Sequence, residues 1–303
     1  MTDRLRSVLV FGAGGQVGRE LMQRPAPRGF ATLGLTHAQA DIADRKAVEE
    51  AVRRHRPDII VNAAAYTAVD KAESDLDRAF AVNEEGPRNL AAAAQDIGAV
   101  LVHLSTDYVF DGRKTDAYVE DDPAAPSSAY GRSKAAGERA VRETTPLHLI
   151  LRTAWVYAAH GSNFLKTMVR LARERKVVRV VADQYGTPTS AADLADAIFA
   201  ILPRLAEKDA ALGTFHLTNA GRTTWNGFAQ EIFAGLVRHG SPIPRLEAIT
   251  TADYPTPARR PAMSVLDCKK IYGAYGIRLR PWQDGVAATL DALLAREMEG
   301  GRP

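Results

Sequence analysis

The chain is predicted to be an α/β protein built on a doubly wound parallel sheet, with a smaller α/β unit after it, on three observations. Short β-branched runs, apolar at nearly every position, alternate with helical patterns of about 10–15 residues, as a parallel sheet covered on both faces requires. A glycine-rich turn follows the first run directly. After Arg152 the alternation weakens, and prolines gather further on.

The elements follow in order. Ser7–Phe11 (SVLVF) reads as the first strand and Gln16–Gln23 as a helix that Pro25 stops. Phe30–Leu35 is the second strand, and Asp44–His55 is a helix with Val48, Ala51 and Val52 on one face. Asp58–Asn62 (DIIVN) is the third strand, Leu76–Ala94 a single helix, and Ala99–Leu104 (AVLVHL) the fourth strand. A long helix over Ser128–Thr144 and a fifth strand over Leu147–Leu151 complete the alternation. Beyond it, helices are expected at Asn163–Arg173, Ala191–Leu205 and Thr224–His239, and strands at Val177–Val181 and Gly213–Leu217. Ser241–Arg260 carries Pro242, Pro244, Pro255 and Pro257 and is expected to be an irregular loop. The division this implies is a nucleotide-binding domain over 1–155, to which a segment at about 176–203 returns, and a second domain made mainly of 156–303.

Composition narrows the function classes. The chain has 303 residues, 46% hydrophobic and 25% charged, within the range of globular proteins. A net charge of +3 without any long basic block speaks against a nucleic-acid partner. The single cysteine, Cys268, allows neither an intrachain disulfide nor a thiolate cluster, and the seven histidines show no ligand spacing, so no catalytic metal is expected. No stretch approaches the ~20 apolar residues of a membrane span. The apolar run near the N-terminus is too short for a signal peptide, so the expected location is cytoplasmic.

Gly12, Gly15 and Gly18 form a GxxGxxG pattern between the first strand and the first helix. Glycines there let the backbone turn sharply and approach a pyrophosphate, which rests on the free N–H groups of the helix start. This predicts a Rossmann-type dinucleotide site. The acid that usually holds a ribose 2′-hydroxyl at the end of the second strand is missing, since that strand runs into Thr36 and His37. NADPH is therefore favoured over NADH, while Asp41 leaves NADH possible.

Tyr130 and Lys134 stand four residues apart on one helix face, where an ammonium would lower the phenol pKa and make it a usable acid. The fourth strand runs into Ser105, Thr106 and Asp107, and ligands bind at the carboxyl ends of such strands. These residues should therefore face the nicotinamide and a substrate carbonyl. A His103/Ser105/Asp107 hydrolase triad is excluded, because residues two apart on a strand are about 7 Å apart with parallel side chains. Ala63, Ala64, Ala65, Tyr66 and Thr67 follow the third strand, and the small ones among them suit either a close-lying adenosine or tight helix packing. Asn83 and Gly86 read as structural.

The glycine loop, Ser-Thr-Asp after the fourth strand and Tyr-x-x-x-Lys together resemble the extended short-chain dehydrogenase/reductase family over nearly the whole chain. More narrowly, NAAAYTAVDKAE (Asn62–Glu73), STDYVF (Ser105–Phe110), RTAWVY (Arg152–Tyr157), NFLKTM (Asn163–Met168), DQYGTPT (Asp183–Thr189) and Arg260-Pro261 with Ser264 resemble the dTDP-4-dehydrorhamnose reductase family. The resemblance implies NADPH-dependent reduction of the 4-keto group of dTDP-6-deoxy-L-lyxo-4-hexulose to dTDP-L-rhamnose. It implies that Gly15, Gln16 and Val17 cradle the pyrophosphate, Asp41 and Ile42 flank the adenine, and Ala65–Thr67 line the cofactor channel. Tyr130 would protonate the C4 oxygen, Lys134 would hold the nicotinamide ribose, Thr106 and Asp107 would hold the sugar, and Trp155 would pack on it. The family's dimers are joined through Mg²⁺ on glutamates, one of them in the segment matching Ser190–Asp193. This chain has Ala191 and Ala192 there, although Glu297 and Glu299 remain in the tail, so a monomer or weak homodimer is expected. Two alternatives stay open: another nucleotide-sugar reductase, epimerase or dehydratase, and a non-catalytic NADP-binding regulatory subunit. Against a dehydratase, Asp107 is followed by Tyr108 rather than by a second acid.

Overall fold

The computed structural model describes residues 5–207 and 209–300, the last three by backbone alone. The first half alternates as the sequence predicts: β1 (Arg6–Phe11), α1 (Gln16–Gln23), β2 (Phe30–Leu35), α2 (Arg45–His55) and β3 (Ile59–Asn62). α3 (Leu76–Phe80), α4 (Gly86–Ile97), β4 (Val100–Thr106), α5 (Ala129–Thr144) and β5 (His148–Thr153) follow. Helix starts are set by side chains: Asp44 accepts from the N–H groups of Lys46 and Ala47, and Ser128 accepts from Gly131 N–H.

The central sheet has six strands, and every pair in it is parallel. Its order is β2-β1-β3-β4-β5 and then β10 (Gly213–His216) at the edge. The chain turns one way from β1 to β2 and the other way to β3, so a switch point opens at the carboxyl ends of β1 and β3. Alternate residues of the strands feed two cores. Val8 and Val10 join Ile59, Val61 and Val102 on one face, while Leu9 and Phe11 join Ile60 and Leu101 on the other.

The second half continues with β6 (Val156–Tyr157), α6 (Phe164–Glu174), β7 (Val177–Val181), β8 (Tyr185–Gly186), β9 (Thr189–Ser190) and α7 (Ala191–Leu205). After β10 come β11 (Thr223–Thr224), α8 (Trp225–Arg238), β12 (Arg245–Ile249), α9 (Lys269–Tyr275) and α10 (Trp282–Gly300). A separate core forms between α6, α8 and α10, holding Leu165, Met168, Phe228, Ile232, Val286 and Leu290.

Three expectations need correction. The single helix over Leu76–Ala94 is broken by a π-helical turn, Ala81–Glu85, before Pro87 opens α4. Ser241–Arg260 is not all irregular, because its prolines flank a proline-free run, Arg245–Ile249, that pairs in parallel with β7. The return to the sheet therefore excludes Val177–Val181, which belongs with β12. It consists of α7, whose Leu194, Ile198 and Leu202 enter the sheet's core, followed by β10.

Candidate active site

The glycine turn is a cradle shaped by close backbone approach. Gly12 has φ +81°, and a Cβ there would lie 2.5 Å from Ala64 N. A Cβ on Gly18 would lie 2.1 Å from Gly12 O. Gly15 precedes α1 without any side-chain cap, so the N–H groups of the helix start remain open to an anion. These features fit a dinucleotide pyrophosphate. Gln16 is also tied to the second half of the chain: its Oε1 accepts from Asn163 Nδ2 at 2.9 Å and its Nε2 donates to Val156 O at 3.4 Å.

At the end of β2, Thr36 N and Oγ1 both donate to Gln39 Oε1 at 2.9 Å, and no carboxylate stands at this position. Asp41 carries Arg78 at 3.0 Å, with His37 at 3.6 Å. Burial pushes the Asp41 carboxyl up, but the Ala43 N–H and Arg78 outweigh it and hold the group below its ordinary value. Ile42 is 2% exposed and packs against Gly86, so any contact with an adenine there falls to the main chain. Ala63, Ala64, Ala65 and Tyr66 are half-buried and Thr67 is exposed. Their turn is fixed by Asn83, whose Oδ1 accepts from Tyr66 N at 2.9 Å while its Nδ2 donates to Tyr66 O and Ser133 Oγ, each at 3.0 Å. The π-helical turn is thus what delivers Asn83 to the loop, and Gly137 lets α5 close on it, since a Cβ there would meet Asn83 O at 2.0 Å.

Thr106, Asp107, Tyr130 and Lys134 come together at the carboxyl end of β4. Thr106 Oγ1 donates to Asp107 Oδ1 at 3.0 Å and accepts from Tyr108 N at 3.2 Å. Tyr130 is 9% exposed and meets the Tyr108 ring edge-on, with centroids 5.6 Å apart. Lys134 is 2% exposed, and its Nζ donates to Leu104 O at 2.7 Å.

The lowered phenol pKa expected from Lys134 does not appear. Burial dominates and pushes Tyr130 up to about 12, with the Thr106 hydroxyl pulling it down and Asp107 pushing it further up. Burial also draws Lys134 down to about 8, against Glu138, which raises it. The phenol is therefore protonated at neutral pH, which is the form that donates. Asp107 is buried, and desolvation raises its carboxyl to about 6 against the hydroxyls of Ser264 and Thr106. Its Oδ2 has no partner among the described residues.

Between β5 and β6, Trp155 has φ +48°, a left-handed conformation rare for a bulky residue. It is held by a parallel stack on Trp225, with centroids 3.6 Å apart, and by Gly186, where a Cβ would lie 2.3 Å from the indole. Such strain gathers at ligand sites. The segment after β12 arches back so that Arg260 grips Asp70 through two bonds of 2.8 and 3.0 Å. Trp225, Asp70 and the bridge to Arg260 escape single-residue reading. Their only signal is that Asp70 and Arg260 both lie in the stretches that carry the family resemblance. Of the two tail glutamates, Glu297 pairs with Arg173 at 2.5 Å, and the Glu299 side chain lies outside the described residues. Among the described residues no group of three or more His, Cys, Asp or Glu could hold a metal ion, and no helix is long and apolar enough to cross a membrane.

The family model described as RmlD substrate binding domain matches residues 6–295. The chain is 45% identical over 301 residues to a dTDP-4-dehydrorhamnose reductase of Burkholderia thailandensis, covering 95% of this chain and 99% of the relative. It is 43% identical to the Escherichia coli K12 protein of the same name, covering 95% and 98%. A crystal structure of dTDP-4-dehydrorhamnose reductase from Bacillus anthracis in complex with NADP superposes with a TM-score of 0.89 at 35% identity, covering 95% and 99%. Thermus thermophilus UDP-glucose 4-epimerase, at 22% identity and a TM-score of 0.79, shares the fold. The chain therefore belongs to the dTDP-4-dehydrorhamnose reductase family, the one its motifs resemble.

Proposed function

We propose that this chain is an NADPH-dependent oxidoreductase that reduces the 4-keto group of dTDP-6-deoxy-L-lyxo-4-hexulose to give dTDP-L-rhamnose. The observation that carries the reading is the joining of Thr106, Tyr130 and Lys134 at one strand end, beside a glycine cradle that side chains would fill, in a chain 45% identical to a reductase of that name. On this reading Gly12, Gly15 and Gly18 admit the pyrophosphate to the N–H groups of Gln16 and Val17, and Ala63–Thr67 line the channel. Lys134 holds the nicotinamide ribose. When bound, NADPH supplies the hydride. Tyr130 gives its phenolic proton to the C4 oxygen, and the ammonium of Lys134 offsets the charge left on the phenolate. Thr106 fixes the sugar's carbonyl, Asp107 anchors the Thr106 hydroxyl, Trp155 forms the wall on which the sugar packs, and the buried setting keeps water out. Residues 156–303, less the return through α7 and β10, form the substrate-binding part. The same reading puts the reaction in the cytoplasm, carried out by a monomer or weak homodimer.

The decisive assay follows NADPH oxidation with the dTDP-4-keto-6-deoxyhexulose generated in situ, beside other keto sugar nucleotides. Turnover of that sugar alone is the expected result. Tight NADPH binding with no turnover of any sugar would instead favour a regulatory subunit.

Cofactor choice gives a sharper expectation. A carboxylate at the end of β2 would repel a 2′-phosphate across a few ångströms, which in a half-screened site costs on the order of 1–4 kcal/mol. Thr36→Asp should therefore raise the Kd for NADPH by roughly tenfold or more and leave that for NADH little changed, read by fluorescence titration of both. If the wild-type protein bound NADH more tightly than NADPH, the reasoning from Thr36 would be wrong.

A further inference from the structure

The strained indole of Trp155 is gripped by two residues that one short ladder holds together. β8 and β11 pair antiparallel, with Gly186 opposite Thr223 and Tyr185 opposite Thr224, and Trp225 follows directly on Thr224. Trp225 stacks on the indole at an interplanar angle of 7°, and Gly186 lies so close that a Cβ there would fall 2.3–2.6 Å from Cε2, Cζ2 and Nε1. The backbone of Gly186 is not left-handed, so the indole alone excludes a side chain at that position. The main chain of Trp155 is tied as well, its carbonyl accepting from Thr189 N at 3.2 Å. Tyr185 N donates to Ala262 O and Tyr185 O accepts from Ser264 N, each at 2.8 Å, so the stretch after Arg260 braces the ladder. Core filling does not account for this arrangement. An indole placed only to fill a core would be fully buried on an ordinary backbone, whereas Trp155 and Trp225 are both half-buried and Trp155 keeps its left-handed φ. Such a residue persists only where its surroundings over-determine it.

We propose that Trp225 and Gly186 are positioning residues for the reduction, forming a clamp that fixes the Trp155 indole as the wall for the sugar. The inference rests on the assignment of Trp155 to the sugar. The clamp is anchored in the substrate-binding part of the chain. Phe164 at the start of α6 packs on Trp225 with ring centroids 4.8 Å apart, and the Thr224 hydroxyl caps α8 by accepting from Gly227 N at 3.0 Å. Trp155 itself comes just after β5, whose Thr153 is the register partner of Thr106 on β4. The indole thus links the catalytic strand tips to the second core, and its ring is held from the second core. A clamp so placed acts on the sugar and not on the dinucleotide, whose glycine cradle lies between β1 and α1. A misplacement of about 1 Å in a bound reactant can cost on the order of 10²-fold in rate. A loosened indole should therefore show in the kinetics of the sugar and not in NADPH binding.

The test measures kcat and KM for the keto sugar, the Kd for NADPH, thermal melting, and the exciton couplet that two stacked indoles give in circular dichroism. Trp225→Leu should abolish the couplet, raise KM by roughly tenfold or more and lower kcat, with the Kd for NADPH within about twofold of the wild type. Trp225→Phe keeps a flat ring in the stack and should hold KM within about threefold. Gly186→Ala should repeat the rise in KM from the other jaw, because its methyl displaces the indole while Trp225 stays intact. It removes no buried atom, so it carries the test if Trp225→Leu does not fold. Ile232→Ala opens the same core two turns further along α8 and is the control: it should lower the melting temperature without moving KM. A folded Trp225→Leu or Gly186→Ala with the wild-type KM would overturn the clamp, as would an equal rise in Ile232→Ala. Trp155→Ala tests the wall itself. If that variant kept the wild-type KM, the assignment of Trp155 to the sugar would fail instead.

Discussion

Tyr130→Phe should lower kcat by roughly 10²–10⁴, the usual contribution of a positioned general acid, while the Kd for NADPH stays within about twofold. The change deletes one oxygen and keeps the ring that packs edge-on against Tyr108. No nearby group is placed to substitute. Asp107 titrates near 6, so it is mostly ionised at neutral pH, and its Oδ1 already accepts from Thr106. Lys134 donates to Leu104 O. Thr106→Ala removes a neutral hydroxyl that orients but does not titrate, so its effect should be milder, with KM raised and kcat reduced less than in Tyr130→Phe. Steady-state kinetics on the two variants read the order directly. Near-normal turnover in Tyr130→Phe with none in Thr106→Ala would move the proton donor away from Tyr130.

The two features most legible in the sequence are those set by local rules. GxxGxxG after an apolar strand dictates the turn, because only glycine tolerates the φ of Gly12 and the approach of Ala64. Tyr130 and Lys134 share a face because four residues make about one helical turn. What stayed hidden depends on the environment. The phenol pKa was expected to fall on the spacing to Lys134, yet the depth of burial, which spacing does not report, sets its direction. The strand Arg245–Ile249 lay among prolines that suggested a loop, and only its pairing with β7 makes it a strand. Asn83 could be read as structural, but not that a π-helical turn aims it at Tyr66 and Ser133. The partners of Glu138 are hidden as well, because only the pairing of β4 with β5 brings Ser105 and Arg152 to it.

Gly12→Ala should be far more damaging than the same change two residues on, at Gly14. The new methyl would meet Ala64 N at 2.5 Å and Ala63 C at 2.7 Å, both backbone atoms that cannot swing aside. The residue would also have to keep φ +81°, which costs an L side chain roughly 1–2 kcal/mol. Overpacking adds about 1–3 kcal/mol, so a stability loss of about 2–5 kcal/mol is expected by denaturant titration. Cofactor binding should suffer too. A displaced turn no longer presents the N–H groups at the start of α1, and bonds to a charged partner are worth about 1.5–3 kcal/mol each. Losing two would weaken NADPH by roughly 10²–10⁴-fold. Gly14→Ala is the control, because its Cβ would find only Thr36 Cγ2 at 3.8 Å, an ordinary contact. It should fold and bind NADPH nearly as the wild type does. Equal binding by Gly12→Ala and Gly14→Ala would mean that close backbone approach at Gly12 is not what forms the cofactor cradle.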